Sequence, residues 1–200
     1  MTTSARAAST RRQLLDAARD AFEARGYRAT SVADIVGRAA TARGTFYLYF
    51  RNKDDVFAQL VEEVVAELLD ETAVHPDAPD RAASVRAGTR IYLTAFARRR
   101  ALWRAMLEAL GASPAVERQW LALRDGLVER IAANLERGRA AGAVRADLDP
   151  VPAAEALAAM VEWSACIAFV VRGEPEEGER FDRMVEGLSS LWLAATAARA

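Results

Sequence analysis

The chain of 200 residues has one cysteine, one histidine and one lysine. Cys166 alone cannot close an intramolecular disulfide, so a bridged scaffold is excluded. The sole histidine, His75, lies in a Pro-flanked stretch expected to be a loop, where an incidental or structural role outweighs metal binding. Glycine (11) and proline (6) are sparse, leaving few breaks between periodic segments. The N-terminal stretch has no apolar core of a signal peptide, and the longest apolar run, Ala156 to Val171, is shorter than a bilayer needs and contains Glu162. No membrane span is expected, and the chain reads as cytoplasmic. Nucleophile–base pairs, clustered carboxylates and Gly-rich phosphate loops are missing too, so no enzyme, cofactor, catalytic residue or metal ligand is assigned.

What is present is alanine, leucine and arginine. An apolar fraction of 52% with 28% charged residues is globular and rich in helix formers, and the length suits one large or two small domains. The net charge of −1 conceals a division. Residues 1–53 carry ten basic against four acidic side chains, a net +6, which leaves −7 for the remainder. A basic head on an acidic body suggests contact with a polyanion, although a solvated arginine-rich surface gives the same count.

The head resolves into three short helices. Leu14, Leu15, Ala18 and Phe22 mark the first, from about Thr10 to Arg25, with Gly26 beyond it as a C-cap. Ser31 caps the second, with Asp34 completing a capping box. After a tight turn at Ala40-Thr41, Phe46 and Phe50 fall on one face of the third, at about 42–49, leaving Arg43, Thr45, Tyr47, Leu48 and Tyr49 to point elsewhere. This is a helix-turn-helix, whose last helix is the one that enters a major groove. Tyr47 and Tyr49 are surplus to a core unless their hydroxyls meet phosphates or base edges, or either packs on the first helix. Lys53 begins the next helix against its dipole, a placement suited to gripping a phosphate; a solvated surface lysine is the alternative.

The run Thr30-Ser31-Val32-x-x-Ile35, followed by Gly44-Thr45-Phe46-Tyr47-x-Tyr49-Phe50-x-Asn52-Lys53-Asp54, resembles the DNA-binding domain of the tetracycline-repressor (TetR) family over about residues 10–57. The resemblance implies an all-α protein of about nine helices: a three-helix helix-turn-helix domain, 1–53, on a helical ligand-binding and dimerisation domain, 54–200. It also implies a homodimer that binds a double-stranded DNA operator and is released by a small hydrophobic effector; an interaction protein with weak or no specific DNA binding is the alternative. On this resemblance Ser31, with Thr30 as a possible second contact, would hold phosphate, and Arg43 would read a base, since arginine bonds guanine bidentately. Thr45, Tyr47 and Tyr49 would line the groove or meet phosphates, Leu48 would touch a thymine methyl, and Lys53 would grip the backbone. Ala40, Thr41 and Ala42 stand where the family usually has Gly, Val and Ser. Ala40 would cost about 1 kcal/mol if left-handed, and with Ala42 unable to cap the recognition helix, Thr41 is the substitute.

In the body, helices are expected at 54–72, 80–98, 100–110, 114–141, 151–172 and 177–198. The last two are apolar enough to need cover on more than one face; one monomer's core could supply it, but pairing with their two-fold mates also accounts for small residues facing out, with Leu157, Val161, Val185, Leu188 and Trp192 as interface residues. Tyr92, Phe96, Trp103, Met106, Trp120, Leu123, Leu127, Glu162 and Trp163 are the candidate lining of a ligand pocket, with plain core as the alternative reading of each. Glu162 amid apolar neighbours needs a partner: a ligand amine or hydroxyl, Arg104, or another internal arginine.

Overall fold

Helical periodicity runs through the chain, and the computed structural model, which describes residues 3–71 and 80–198, contains nine α-helices among them. In order these are α1 (Thr3–Ala29), α2 (Val32–Arg38), α3 (Arg43–Tyr47), α4 (Lys53–Glu71), α5 (Arg81–Arg98), α6 (Arg100–Leu110), α7 (Pro114–Ala140), α8 (Pro150–Ala165) and α9 (Glu179–Thr196). The loop expected around His75 lies outside the described residues. α1 begins seven residues earlier than the expected Thr10, on an Ala- and Ser-rich stretch that helix propensity alone carries. α8 runs on as a π-helical segment, Cys166–Val171.

The chain divides into two compact units. The first comprises residues up to Val65 together with Ala101–Ala122. Its core takes Leu14, Leu15 and Phe22 from α1, Ile35 from α2, Phe46 from α3, Phe50, and Val56, Phe57 and Leu60 from α4, all essentially inaccessible. Phe57 meets Phe22 edge-on at 4.7 Å and Tyr27 at 5.0 Å between ring centroids. Gly26 lets α1 change direction: its φ of +77° lies in the left-handed region that glycine tolerates. Above it, the Glu108 carboxylate of α6 accepts the Arg28 amide at 3.0 Å. Trp103, Met106 and Trp120 belong to this unit, with Trp103 and Trp120 packed edge to face at 5.6 Å.

The second unit comprises Ala66–Arg100 and the chain from Leu123 onward. α5 packs along α9, and salt bridges Arg86–Glu186 (2.7 Å) and Arg90–Asp182 (2.8 Å) tie the pair on its outer side. Phe96, Phe169 and Phe181 form a continuous aromatic row. A second cluster joins Val128, Ala132 and Leu135 of α7 to Ala154, Leu157 and Ala158 of α8.

Two expectations from sequence need correction here. The helix Pro150–Val171 is 22 residues long, enough by length and composition to cross a membrane. Length therefore does not exclude a span; instead one side of the helix is filled by the core, and Glu162 upon it is paired with Arg124. The residues expected at a dimer interface also face the other way. Leu157, Val161, Val185 and Leu188 are buried within the single chain and Trp192 is half-buried, while Trp163 (62% exposed), Leu191 (58%), Ala156, Ala159, Gly187 and Ala194 face outward. Large side chains fill the protomer's own core, and the small ones are left on the outer faces of α8 and α9.

Candidate nucleic-acid interface and effector cavity

The helix-turn-helix is fixed by its caps. Ser31 accepts the Asp34 amide while the Asp34 carboxylate accepts the Ser31 amide and hydroxyl, a complete capping box at the start of α2. These bonds, with Arg25 as ion-pair partner, hold the Asp34 carboxyl below the usual aspartate range, the Ser31 hydroxyl being the largest influence. Ser31 itself is exposed. Thr30, by contrast, is buried, and its hydroxyl donates to the carbonyls of Gly26 at 2.7 Å and Ala21 at 3.2 Å. It satisfies carbonyls freed by the bend at Gly26 and cannot reach a phosphate.

The turn that follows departs from ideal geometry. Ala40 has φ +47°, the left-handed conformation that its family position implied. Gln13 of α1 braces the turn by donating to the Ala39 carbonyl at 2.9 Å. α3 starts at Ala42 without a side-chain cap, so Thr41 does not replace the serine that is missing there. α3 is five residues long, shorter than the expected 42–49, because Leu48 closes it.

Phe46 and Phe50 are buried, as their spacing required. On the opposite side Arg43 is exposed, with Tyr47 (48%) and Leu48 (79%) beside it. The Arg43 guanidinium donates to the Tyr47 hydroxyl at 3.3 Å and lies 5.8 Å from its ring centroid. Thr45 and Tyr49 are half-buried at the margins. Lys53, also half-buried, donates to the Tyr27 carbonyl at 2.9 Å, with its ammonium 4.2 Å from the Tyr27 ring centroid. The dipole conflict at the start of α4 is thus met by a cation–π contact. The Tyr27 hydroxyl in turn donates to Asp54 at 2.5 Å, and Ser113 donates to the other oxygen at 2.6 Å.

A half-open cavity of about 410 Å³ lies in the second unit, lined by faces of α5 and α7 and by residues of α8 with Trp192 of α9. Of the candidate pocket residues, Tyr92, Leu127 and Glu162 line it. Phe96 is buried beside it against Tyr92 and Phe169, Leu123 is half-buried outside it, Trp103, Met106 and Trp120 sit in the first unit, and Trp163 faces solvent. Glu162 pairs with Arg124 at 3.2 Å, not with Arg104, and burial raises its pKa against the pull of that arginine. Burial also raises the Tyr92 phenol well above its ordinary value. Some lining residues missed in the sequence are apolar, among them Val85, Ile131 and Leu135; others are small or polar: Arg81, Ser84, Gly88 and Thr89 of α5, and Asn134 and Gly138 of α7. The latter recur at helical spacing, but a search for apolar stripes passes over them.

Comparison with known proteins places both parts. The sequence profile of bacterial regulatory proteins, tetR family, matches residues 14–60, and that of the C-terminal domain of the transcriptional regulator EthR matches residues 85–197. The HTH-type transcriptional regulator EthR of Mycolicibacterium smegmatis is 27% identical over 182 residues, covering 90% of this chain and 82% of that protein. Among solved structures, one assigned to the TetR family from Mesorhizobium loti superposes with a TM-score of 0.79 at 21% identity, over 98% of this chain and 100% of that one. The flavonoid-responsive regulator FrrA superposes with a TM-score of 0.74 at 25% identity, over 96% and 100%. With the capping box and exposed arginine of α3 in the first match and the α5–α9 bundle in the second, the chain belongs to the TetR family of bacterial transcriptional regulators and has an EthR-type C-terminal domain.

Proposed function

We propose that the protein is a homodimeric transcriptional repressor that binds a palindromic operator through α3 and leaves it when a small hydrophobic effector enters the α5–α7 cavity. The observation that carries the DNA-binding half is the division of α3: Phe46 is buried on one side while Arg43, Tyr47 and Leu48 are exposed on the other. In this reading Arg43 bonds a guanine, Leu48 meets a thymine methyl, Tyr47 and the marginal Thr45 and Tyr49 touch the groove walls, and Ser31 and Lys53 hold the backbone. The DNA-reading residues lie in the first compact unit and the cavity in the second, so the division of roles follows those units and not a cut between residues 53 and 54, and such a regulator works in the cytoplasm with its chromosome. Two copies of a +6 head bring about +12 to the phosphates. The pairing surface proposed is the outer face of α8 and α9, where Trp163 and Leu191 stand among Ala156, Ala159, Gly187 and Ala194, small residues that let helices approach closely. The effector reading rests on the apolar cavity and on a relative named for its response to flavonoids.

Fluorescence anisotropy on fragments of the protein's own upstream region tests this. A dimer gripping several phosphates gives a slope of log K against log salt steeper than about −3. Trp163→Glu is expected to yield monomers in sedimentation and to weaken operator binding, and filling the cavity with Gly88→Trp to remove effector-induced release. A flat salt slope, with no specific fragment bound, favours a helix-turn-helix protein that does not bind DNA, a reading motivated by the strained Ala40 and the uncapped α3.

A further inference from the structure

The cavity is long and its two ends differ. Its α5 wall runs from Arg81 to Tyr92 and its α7 wall from Leu127 to Gly138, twelve residues each, or about 16 Å of helix. At one end lie Tyr92 and Glu162, the latter already paired with Arg124 at 3.2 Å. At the other lies Arg81, whose guanidinium donates to the Thr196 hydroxyl at 2.5 Å. Thr196 marks the Gly138 end, because Val144, which packs on Gly138, bridges to Ala197.

Arg81 is the unusual group. It is half-buried, and among the described residues no carboxylate pairs with it. Its neighbour Asp80 is turned to the helix terminus, accepting the Ala83 amide at 2.7 Å. Burial lowers the pKa of Arg81. The Thr196 hydroxyl takes one of five guanidinium N–H donors, so a fork able to bind a planar anion remains at the end of an apolar channel.

We infer that the effector is an elongated amphiphile ending in a carboxylate, seated with its carboxylate on Arg81 and its apolar body along the channel. The inference rests on the effector-cavity reading above. The opposite orientation would set a second carboxylate beside Glu162, and Arg130, the other arginine in the lining, has an interaction of its own, so Arg81 is the favoured end.

Titration calorimetry on the full chain compares two probes of equal length, dodecanoate and dodecan-1-ol. The wild type is expected to prefer dodecanoate by about tenfold or more, the scale of a charge-assisted hydrogen bond. That preference is expected to collapse in Arg81→Met and equally in Arg81→Gln, which keeps a donor for Thr196 and guards against a folding defect in the first variant. Both probes are expected to be excluded by Gly88→Trp, since a side chain added at Gly88 meets open space. Equal affinity for the two probes in the wild type, or a preference that survives loss of Arg81, overturns the carboxylate inference while leaving the cavity as the effector site. Undiminished binding to Gly88→Trp overturns the cavity reading itself. Failure of both probes to bind the wild type overturns the inference alone, because effector-induced operator release tests the cavity separately.

Discussion

Arg43 and Tyr47 stand one turn apart on α3, and the guanidinium donates to the phenol oxygen at 3.3 Å while lying over its ring. The tyrosine thus restrains an exposed, rotamer-rich arginine, which in the proposed DNA-reading role would reduce the ordering cost of binding. Arg43→Ala is expected to flatten base preference at one operator position, at a cost of about 1–3 kcal/mol. Tyr47→Phe keeps the ring but removes the acceptor, and a smaller loss at the same position is expected. Anisotropy against an operator library checks both; equal weakening on specific and random DNA for Arg43→Ala would refute a base-reading role.

Ala40 holds φ +47°, a conformation in which an L-residue is strained by about 1–2 kcal/mol. Ala40→Gly should therefore stabilise the protein by about 1 kcal/mol, raising Tm by roughly 2–4 °C. A fall in Tm on calorimetry would mean that the extra freedom of the unfolded chain outweighs the relieved strain.

Gly26 poses the opposite problem. At φ +77°, a Cβ there would also lie 2.5 Å from Glu108 Oε1, which accepts the Arg28 amide through its other oxygen. Gly26→Ala is expected to cost about 2 kcal/mol or more, combining backbone strain with a displaced carboxylate. The double variant with Glu108→Ala should lose less than the sum of the two single losses, because both include the same hydrogen bond. Strict additivity in urea melts would show that the carboxylate does not confine the bend.

Asp34 supplies the pH test. Its folded-state pKa is lowered, chiefly by the Ser31 hydroxyl, so the stability it contributes is complete above the ordinary aspartate range and lost as pH falls through the lowered value. Between about pH 5 and pH 2 the wild type should lose more stability than Asp34→Asn, whose side chain does not titrate. Parallel pH profiles for the two proteins would assign the capping box no electrostatic share.

The local rules were readable in the sequence because they depend on a few adjacent residues. Ser31 with Asp34 and Phe46 with Phe50 are each settled within four residues, whereas the left-handed Ala40 was suggested only by its family position. Thr30 was misread because its partners, the carbonyls of Ala21 and Gly26, become available only through the bend in α1. The outward face of α8 was misread for another reason. On a helix that is apolar nearly all round, periodicity cannot distinguish core from surface, and side-chain size does: Leu157 and Val161 turn inward while Ala156 and Ala159 turn out. The cavity was only partly legible, since a cavity is made by what is small, and Gly88 and Gly138 leave no hydrophobic signature.

The first compact unit also determines how this regulator can be recombined with others. Phe57 of α4 completes the aromatic cluster around Phe22 and Tyr27, and Ser113, far along the chain, shares Asp54 with Tyr27. A graft cut after residue 53 would leave Asp54, Phe57 and Ser113 behind. A chimaera that transplants operator choice intact must carry α4 as far as Val65 and the separate segment Ala101–Ala122, so the heritable module is two stretches of sequence and not one.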